Sequence, residues 1–395
     1  MRFIFYRLLL SVCTLLGADV LRAQTNGIFA DFTTSMGTFT CQLSYSNAPK
    51  AVANFIGLAT GQQPWLDFTT GQVSTNAFFN GLIFNRVVTN FVDQTGSPNG
   101  LGADGPGYNF VDEYSSSLTF NTPWMLGMAN SGPDSNGSQF FVTVAPFANG
   151  NYRYVVFGRV VSGTNVVAAI NRVATGTNGK PLTNVYLERV DIRREGAAAL
   201  AFDITAQKLP LVTNVPLTIT TSGRNASLTF SNRAYADNRL FSSTNFETWS
   251  SKSMGIEISA PNSNSVNVAV DSPHKFFRMA QVVYPSSTLA PKNLLGRKLV
   301  MAFSGGLGTN VILFNNSGTG SYTLSGGSGS SSGTIKAYTW SQKPYNGTLL
   351  PIQFSSLYDM DLQLNFSTGT VGTFTGTVYS FPPFAAAGSF TLTGP

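Results

Sequence analysis

Two short stretches carry the residues best suited to chemistry: LIFNRVVTNFVDQ at 82–94 and MANSGPDSNGSQFF at 128–141. Together they supply a guanidinium fork in Arg86, a carboxamide in Gln94, an asparagine with free backbone groups in Asn130, and several aromatic rings. A guanidinium is charged at every physiological pH and only donates hydrogen bonds. The set suits holding a peptide segment, and no nucleophile or metal cluster accompanies it. The single histidine, His274, sits far along the chain in DSPHKFFRM and reads as a strand-end surface residue. Ser-His-Asp and Cys-His relays thus lack their base in the first half, and zinc sites lack ligands. The glycine-rich run at 96–107 lacks GKS/T and opens no helix, which argues against a phosphate cradle.

The elements that must position these residues are mostly strands. GIFADFTT and GTFTCQLS, from Gly27 to Ser44, alternate and meet at Ser35-Met36-Gly37 as a hairpin, with Cys41 a small core residue. Asn47 is placed to cap a helix with Pro49 in its first turn, Val52, Phe55, Ile56 and Ala59 on one face, and Gly61 as its stop. Further strands are predicted at 124–129, 139–145, 154–161 and 185–194, with a second helix lined by Val166, Val167, Ile170 and Val173. Eight or so strands plugged by two helices describe a closed eight-stranded antiparallel β-barrel, an arrangement that removes exposed sheet edges.

At 395 residues the chain has room for two or three cores, and its low charged fraction (11%) with abundant Gly suits short strands and turns. Residues 1–23 place Arg2 and Arg7 around a short apolar run that ends near Ala18 and Ala23, the layout of a secretory signal peptide, so the chain is expected to be exported. Removing them lowers the formal charge from +6 to +4, through three arginines and one aspartate. So mild an excess, without a Lys/Arg stripe, points to no nucleic-acid partner. Only Cys41 is then left, which precludes an intrachain disulfide.

Residues 27–195 resemble the cyclophilin family of peptidyl-prolyl cis/trans isomerases. The resemblance is carried, in order, by NAPKAVANF, FNRVVTNFVDQTG, GADGPGYNFVDE, MANSGPDSNGSQFF and YVVFGRVVSG. It implies isomerisation of X–Pro bonds in proline-containing polypeptides without cofactor or metal. Arg86 falls on the catalytic arginine, Gln94 on the glutamine that positions the substrate carbonyl, and Asn130 on the residue whose backbone holds the peptide across the twisting bond. Phe91, Val92, Phe141 and Phe147 fall on the proline pocket, with Tyr154 at its rim. Ala129, Ser131 and Gln139 fall on the wall beside the preceding residue. Asp112-Glu113 belongs to a structural loop rather than to acid/base work. Several positions depart from the family pattern: Asn85 replaces a histidine, Thr95-Gly96 a glycine pair, Val92 a methionine, Phe147 a tryptophan and Tyr154 a histidine. Loss of the indole is expected to weaken cyclosporin-type ligands.

The reaction explains why so few groups suffice. Rotation about the X–Pro amide faces a barrier of roughly 18–20 kcal/mol, and a catalyst need only bind the twisted amide better than either planar form.

Beyond Arg194 the composition changes. The sequence reads as a linker at 197–216, a β-sandwich-like module at 217–286 and a second antiparallel β module at 287–395, after a prolyl isomerase domain at 24–196. Trp249, Trp340 and Tyr345 are most simply core residues, with carbohydrate or a cell surface as the alternative partner of the tail. A secreted binding or adhesion protein with a cyclophilin scaffold is the alternative to an enzyme.

Overall fold

The computed structural model describes residues 26–257, 262–285, 290–291, 293–306, 308–315, 319–326, 329–342, 346–355, 359–366, 370–379 and 384–394. The expected signal peptide at 1–23 and Tyr345 lie outside the described residues.

The first unit is built from β1 (Gly27–Thr34), β2 (Gly37–Leu43), α1 (Pro49–Thr60), β3 (Trp65–Asp67), β4 (Gln72–Ser74), β5 (Leu82–Ile83), β6 (Arg86–Val88), β7 (Val92–Thr95), β8 (Met125–Met128), β9 (Phe140–Thr143), β10 (Val156–Ser162), α2 (Thr164–Ile170) and β11 (Tyr186–Glu195). Its main sheet runs in the order β5-β11-β1-β2-β10-β8-β9-β7-β6. The two ends of that order, β5 and β6, are consecutive in the chain and separated only by Phe84 and Asn85. They act as one interrupted strand that brings the sheet back on itself, and the Thr95 hydroxyl donates to the Ile83 carbonyl across the interruption (2.8 Å). The hairpin at Ser35-Met36 pairs as its alternation predicts, Phe32 opposite Phe39, and those two rings stack at 4.5 Å inside the barrel.

Helix α1 plugs the barrel and buries nine consecutive residues from Ala51 to Ala59. Its cap differs from expectation. Asn47 donates instead to Ser117, and the N-cap position, Ala48, has no side-chain acceptor. Glu113 supplies it, its carboxylate accepting from the backbone N–H of Lys50 (2.7 Å) and Ala51 (3.0 Å). Burial pushes the Glu113 pKa up against the pull of these two donors. At the other end Gly61 adopts φ 75°, where an added Cβ would meet the Thr75 carbonyl oxygen at 2.0 Å.

The second unit carries strands Leu211–Val215, Phe276–Val283, Ala236–Ser243 and Ser250–Glu257 in one sheet, and Thr218–Ser222, Asn225–Asn232 and Asn262–Ala269 in another. The stretch expected as linker is therefore structured: it holds a helical turn at Ala197–Leu200, and Leu211–Val215 pairs with Phe276–Val283. The third unit closes eight strands into a barrel through pairing of Gly329–Ala337 with Asn346–Phe354, and encloses its own core around Met301, Leu349, Leu364 and Phe374. Trp340 packs against that core and donates to the Pro291 carbonyl, and Trp249 lies under the Arg278 guanidinium at 4.1 Å, so both serve as structural rings.

Glu113→Ala leaves two backbone donors at the start of α1 without acceptors, and should cost about 1–2 kcal/mol, as loss of a helix cap does. Denaturant unfolding checks it; the expected order of stability is wild type, Glu113→Gln, then Glu113→Ala.

Candidate functional site

Strand alternation gives the barrel wall two apolar faces. Val87, Phe140, Val142, Leu126, Val155 and Phe157 point into the main core. Their neighbours Val88, Phe141, Met125 and Val156 point the other way, into a separate cluster with Val92, Phe120, Phe91, Phe147, Ala129 and Tyr154. The aromatic members interlock: Phe91 meets Phe147 edge-on at 4.8 Å, Phe120 stacks on Phe141 at 5.5 Å, and Tyr154 stands edge-on to Phe141 at 5.5 Å. All of the expected pocket residues Phe91, Val92, Phe141, Phe147 and Tyr154 thus belong to one exterior aromatic cluster. Val92 and Phe141 are buried as its floor, whereas Phe147 and Tyr154 are half-buried at its edge.

Phe147 is held by its surroundings. Its backbone N–H donates to the Phe120 carbonyl (2.7 Å), and the short turn that follows it ends at Gly150, where a Cβ would lie 2.4 Å from the ring. Phe120, at the centre of the cluster, escaped sequence reasoning because it stands in SSSLTFNTPW, a stretch without strand periodicity.

Arg86 and Gln94 face each other directly in the antiparallel register of β6 and β7. Side chains so paired have Cβ atoms about 4.5–5.5 Å apart. Both residues are half-buried, and the Arg86 side chain has no hydrogen-bond or ion-pair partner among the described residues. Gln94 is anchored: its amide donates to the Gln139 side-chain oxygen (3.0 Å), and Gln139 in turn donates to the Asp104 carbonyl (2.8 Å). The turn at Thr177–Gly179, unread in the sequence, lies against β6: a Cβ on Gly179 would be 2.8 Å from the Val87 oxygen and 3.5 Å from Arg86 Cγ.

Asn130 follows β8. Its side chain donates to the Arg153 carbonyl (2.8 Å) and accepts from Gly132, which leaves its own backbone N–H and C=O without partners among the described residues. The loop beyond it is clamped by reciprocal bonds at 2.8 Å: the Asp134 N–H donates to Asp112, and the Asp112 N–H donates to Asp134. Burial pushes the Asp134 pKa up to about 6. Asp112 and Glu113 are thereby both occupied in structure, one on the loop and one on α1. Ala129, Asn130, Ser131, Gln94 and Gln139 line one side of a cavity of about 530 Å³. Ala129 belongs to both the cavity wall and the aromatic cluster.

Residues 29–192 match the family described as cyclophilin type peptidyl-prolyl cis-trans isomerase/CLD. Peptidyl-prolyl cis-trans isomerase B of Streptomyces anulatus is 46% identical over 121 residues, which span 31% of this chain and 69% of that protein. The chain belongs to the cyclophilin-type peptidyl-prolyl cis-trans isomerases. Peptidyl-prolyl cis-trans isomerase A of Mycobacterium tuberculosis is 46% identical over 114 residues, covering 28% of this chain and 61% of that protein. Among solved structures, a Cryptosporidium parvum cyclophilin type peptidyl-prolyl cis-trans isomerase aligns with 42% of this chain and 98% of its own, at 26% identity and a TM-score of 0.38. The same protein has also been crystallised in the presence of the dipeptide Ala-Pro. The cyclophilin unit thus occupies the first half of the chain, and the sandwich and C-terminal barrel lie outside the family match.

One buried acid in the cyclophilin unit marks its response to pH. Asp93 lies between Val92 and Gln94 on the inward face, 1% exposed, with one oxygen accepting from Asn171 (2.7 Å) and the other unpaired. Desolvation, opposed by that bond, raises its pKa from 3.8 to about 7. The folded chain therefore holds this proton after the unfolded chain has released it, so the contribution to stability is greatest below about 4 and is lost as pH rises toward 7. Asp93→Asn should flatten this part of the profile, raising stability at pH 8 relative to wild type more than at pH 4. Unfolding midpoints of the two proteins measured across that range test it.

Proposed function

We propose that the cyclophilin unit isomerises X–Pro bonds of exported proteins, with Arg86 as its electrostatic catalyst. The observation that carries this reading is the direct register pairing of Arg86 with Gln94 beside the exterior aromatic cluster. A proline ring seated against Phe91, Val92, Phe141 and Phe147 would set its nitrogen within reach of the guanidinium. As the amide twists, that nitrogen turns pyramidal and its lone pair localises, and a cationic donor stabilises this state more than the planar one. Gln94, held from behind by Gln139, positions the carbonyl. The unpaired backbone of Asn130 receives the peptide on the far side of the bond, and Ala129, Ser131 and Gln139 flank the residue before it. No proton moves and no covalent bond forms, so every tenfold in rate asks for about 1.4 kcal/mol of preference for the twisted form.

Export is supported by the composition of residues 1–23, two arginines around a short apolar run. It predicts that the mature protein, recovered outside the cytoplasm, begins near residue 24; intact residues 1–23 on a cytosolic protein would remove this part of the reading.

The activity is tested on the full chain with a proline-containing peptide whose cis/trans exchange is followed directly. Removing one preorganised donor typically costs about 10²–10³ in rate, and Arg86→Ala is expected to fall in that range while peptide binding persists. Exchange at the uncatalysed rate with the unaltered chain, despite binding, would make the unit a proline-peptide scaffold instead.

A further inference from the structure

The cavity beside Gln94 and Gln139 is closed on its far side by the second unit, through Asp237, Arg239, Ser253, Ile256 and Tyr284, with Gln342 of the C-terminal barrel at its margin. This wall is fixed. Phe241 and Ile256 belong to the same buried cluster as the cyclophilin core, and Phe241 packs onto Gly71, where a Cβ would be 2.9 Å from its ring. Gln63 donates to the Pro210 carbonyl (2.7 Å), Arg278 donates to the Thr70 carbonyl, and the Asn109 N–H bonds the buried Tyr284 hydroxyl. Removing large apolar side chains from water is the main stabilising term of such a contact, so an interface that buries Phe241, Ile256 and Val282 together with the cyclophilin core keeps the wall seated against the loop at 102–109.

Arg239 is the wall's distinctive group. Its Nε donates to Asp237 (2.9 Å), Asp237 also accepts from the Ser253 hydroxyl (2.6 Å), and its guanidinium lies 5.4 Å from the Phe68 ring centre. The ion pair neutralises the charge, and the two terminal nitrogens of Arg239 have no hydrogen-bond partner among the described residues. A neutralised fork with unspent donors suits carbonyl oxygens better than a charged side chain. At about 530 Å³ the cavity falls within the usual 300–1,000 Å³ of ligand sites, room for about two or three residues of extended peptide.

We infer that the second unit completes the substrate groove, and that Arg239 binds main-chain carbonyls of the peptide segment upstream of the X–Pro bond. The inference rests on the proposed placement of that upstream segment along Ala129, Ser131 and Gln139. It makes the enzyme a reader of segment length: a proline preceded by several ordered residues engages both walls, and a short one engages only the cyclophilin wall.

The test measures binding and exchange separately, on the full chain, for two peptides that share the same X-Pro-containing core, one of them carrying three additional alanines upstream. The expected result is about tenfold tighter binding of the longer peptide. Arg239→Ala should bring the ratio of the two affinities toward one. Ser253→Tyr, a substitution at an exposed position of the cavity wall, should do the same by filling the space; it removes one hydrogen bond to Asp237 but leaves the Asp237 and Arg239 side chains themselves in place. Equal affinities for the two peptides in the unaltered chain, or a ratio that both variants leave at the wild-type value, overturn the inference. Exchange on both peptides without length preference would sink this inference and leave the isomerase reading standing. Length-dependent binding without exchange would do the reverse.

Discussion

The cyclophilin unit depends on strand alternation in a wall that is apolar on both sides. In β7, Val92 and Gln94 face outward while Asp93 and Thr95 are buried, and in β9 Phe140 and Val142 fill the barrel while Phe141 floors the outer cluster. Because side chains alternate with period two, a one-residue slip between these strands would carry Phe141 inward and expose Phe140. The same register that builds the core sets Arg86 opposite Gln94. Folding correctly and setting Arg86 opposite Gln94 are therefore one requirement.

Around that wall the polar groups are spent on holding loops. Glu113 fixes α1, Asp112 and Asp134 clamp the segment after Asn130, and Asn171 ties the end of α2 to Asp93, the Val88 carbonyl and the Asn90 N–H. Among the described residues, unpaired capacity is left on the Arg86 side chain and on the backbone of Asn130, the groups proposed to meet the substrate.

Much of this was legible in the sequence because it is local. The hairpin at Ser35-Met36, the helix from Pro49 with its stop at Gly61, and the run of motifs through YVVFGRVVSG need only neighbouring residues to be read. What escaped is non-local. The acceptor for α1 comes from Glu113, over sixty residues downstream of its partners, so the nearer Asn47 looked like the cap. Leu211–Val215, between Pro210 and Pro216, has the punctuation of a linker, and only its partner Phe276–Val283 makes it a strand. Ala236–Ser243 is polar in sequence, ADNRLFSS, yet mostly buried in the middle of its sheet, where Asn238 bonds Asn232 (2.6 Å) instead of water. Nothing along the chain announces that Arg239 faces Gln139 across a cavity.

The contact between Phe241 and Gly71 has a consequence for how such a chain can change over generations. Two units that merge their interiors cannot drift independently: a bulkier residue at Gly71 would be answered only by a change in the neighbouring sandwich, and the reverse holds for Phe241. The C-terminal barrel keeps a separate interior and meets the second unit through polar groups such as Gln342, which accepts from the Ile256 N–H (3.3 Å). A change of size in the interior shared by the first two units must therefore be compensated across their boundary, whereas the interior of the barrel can be repacked within itself.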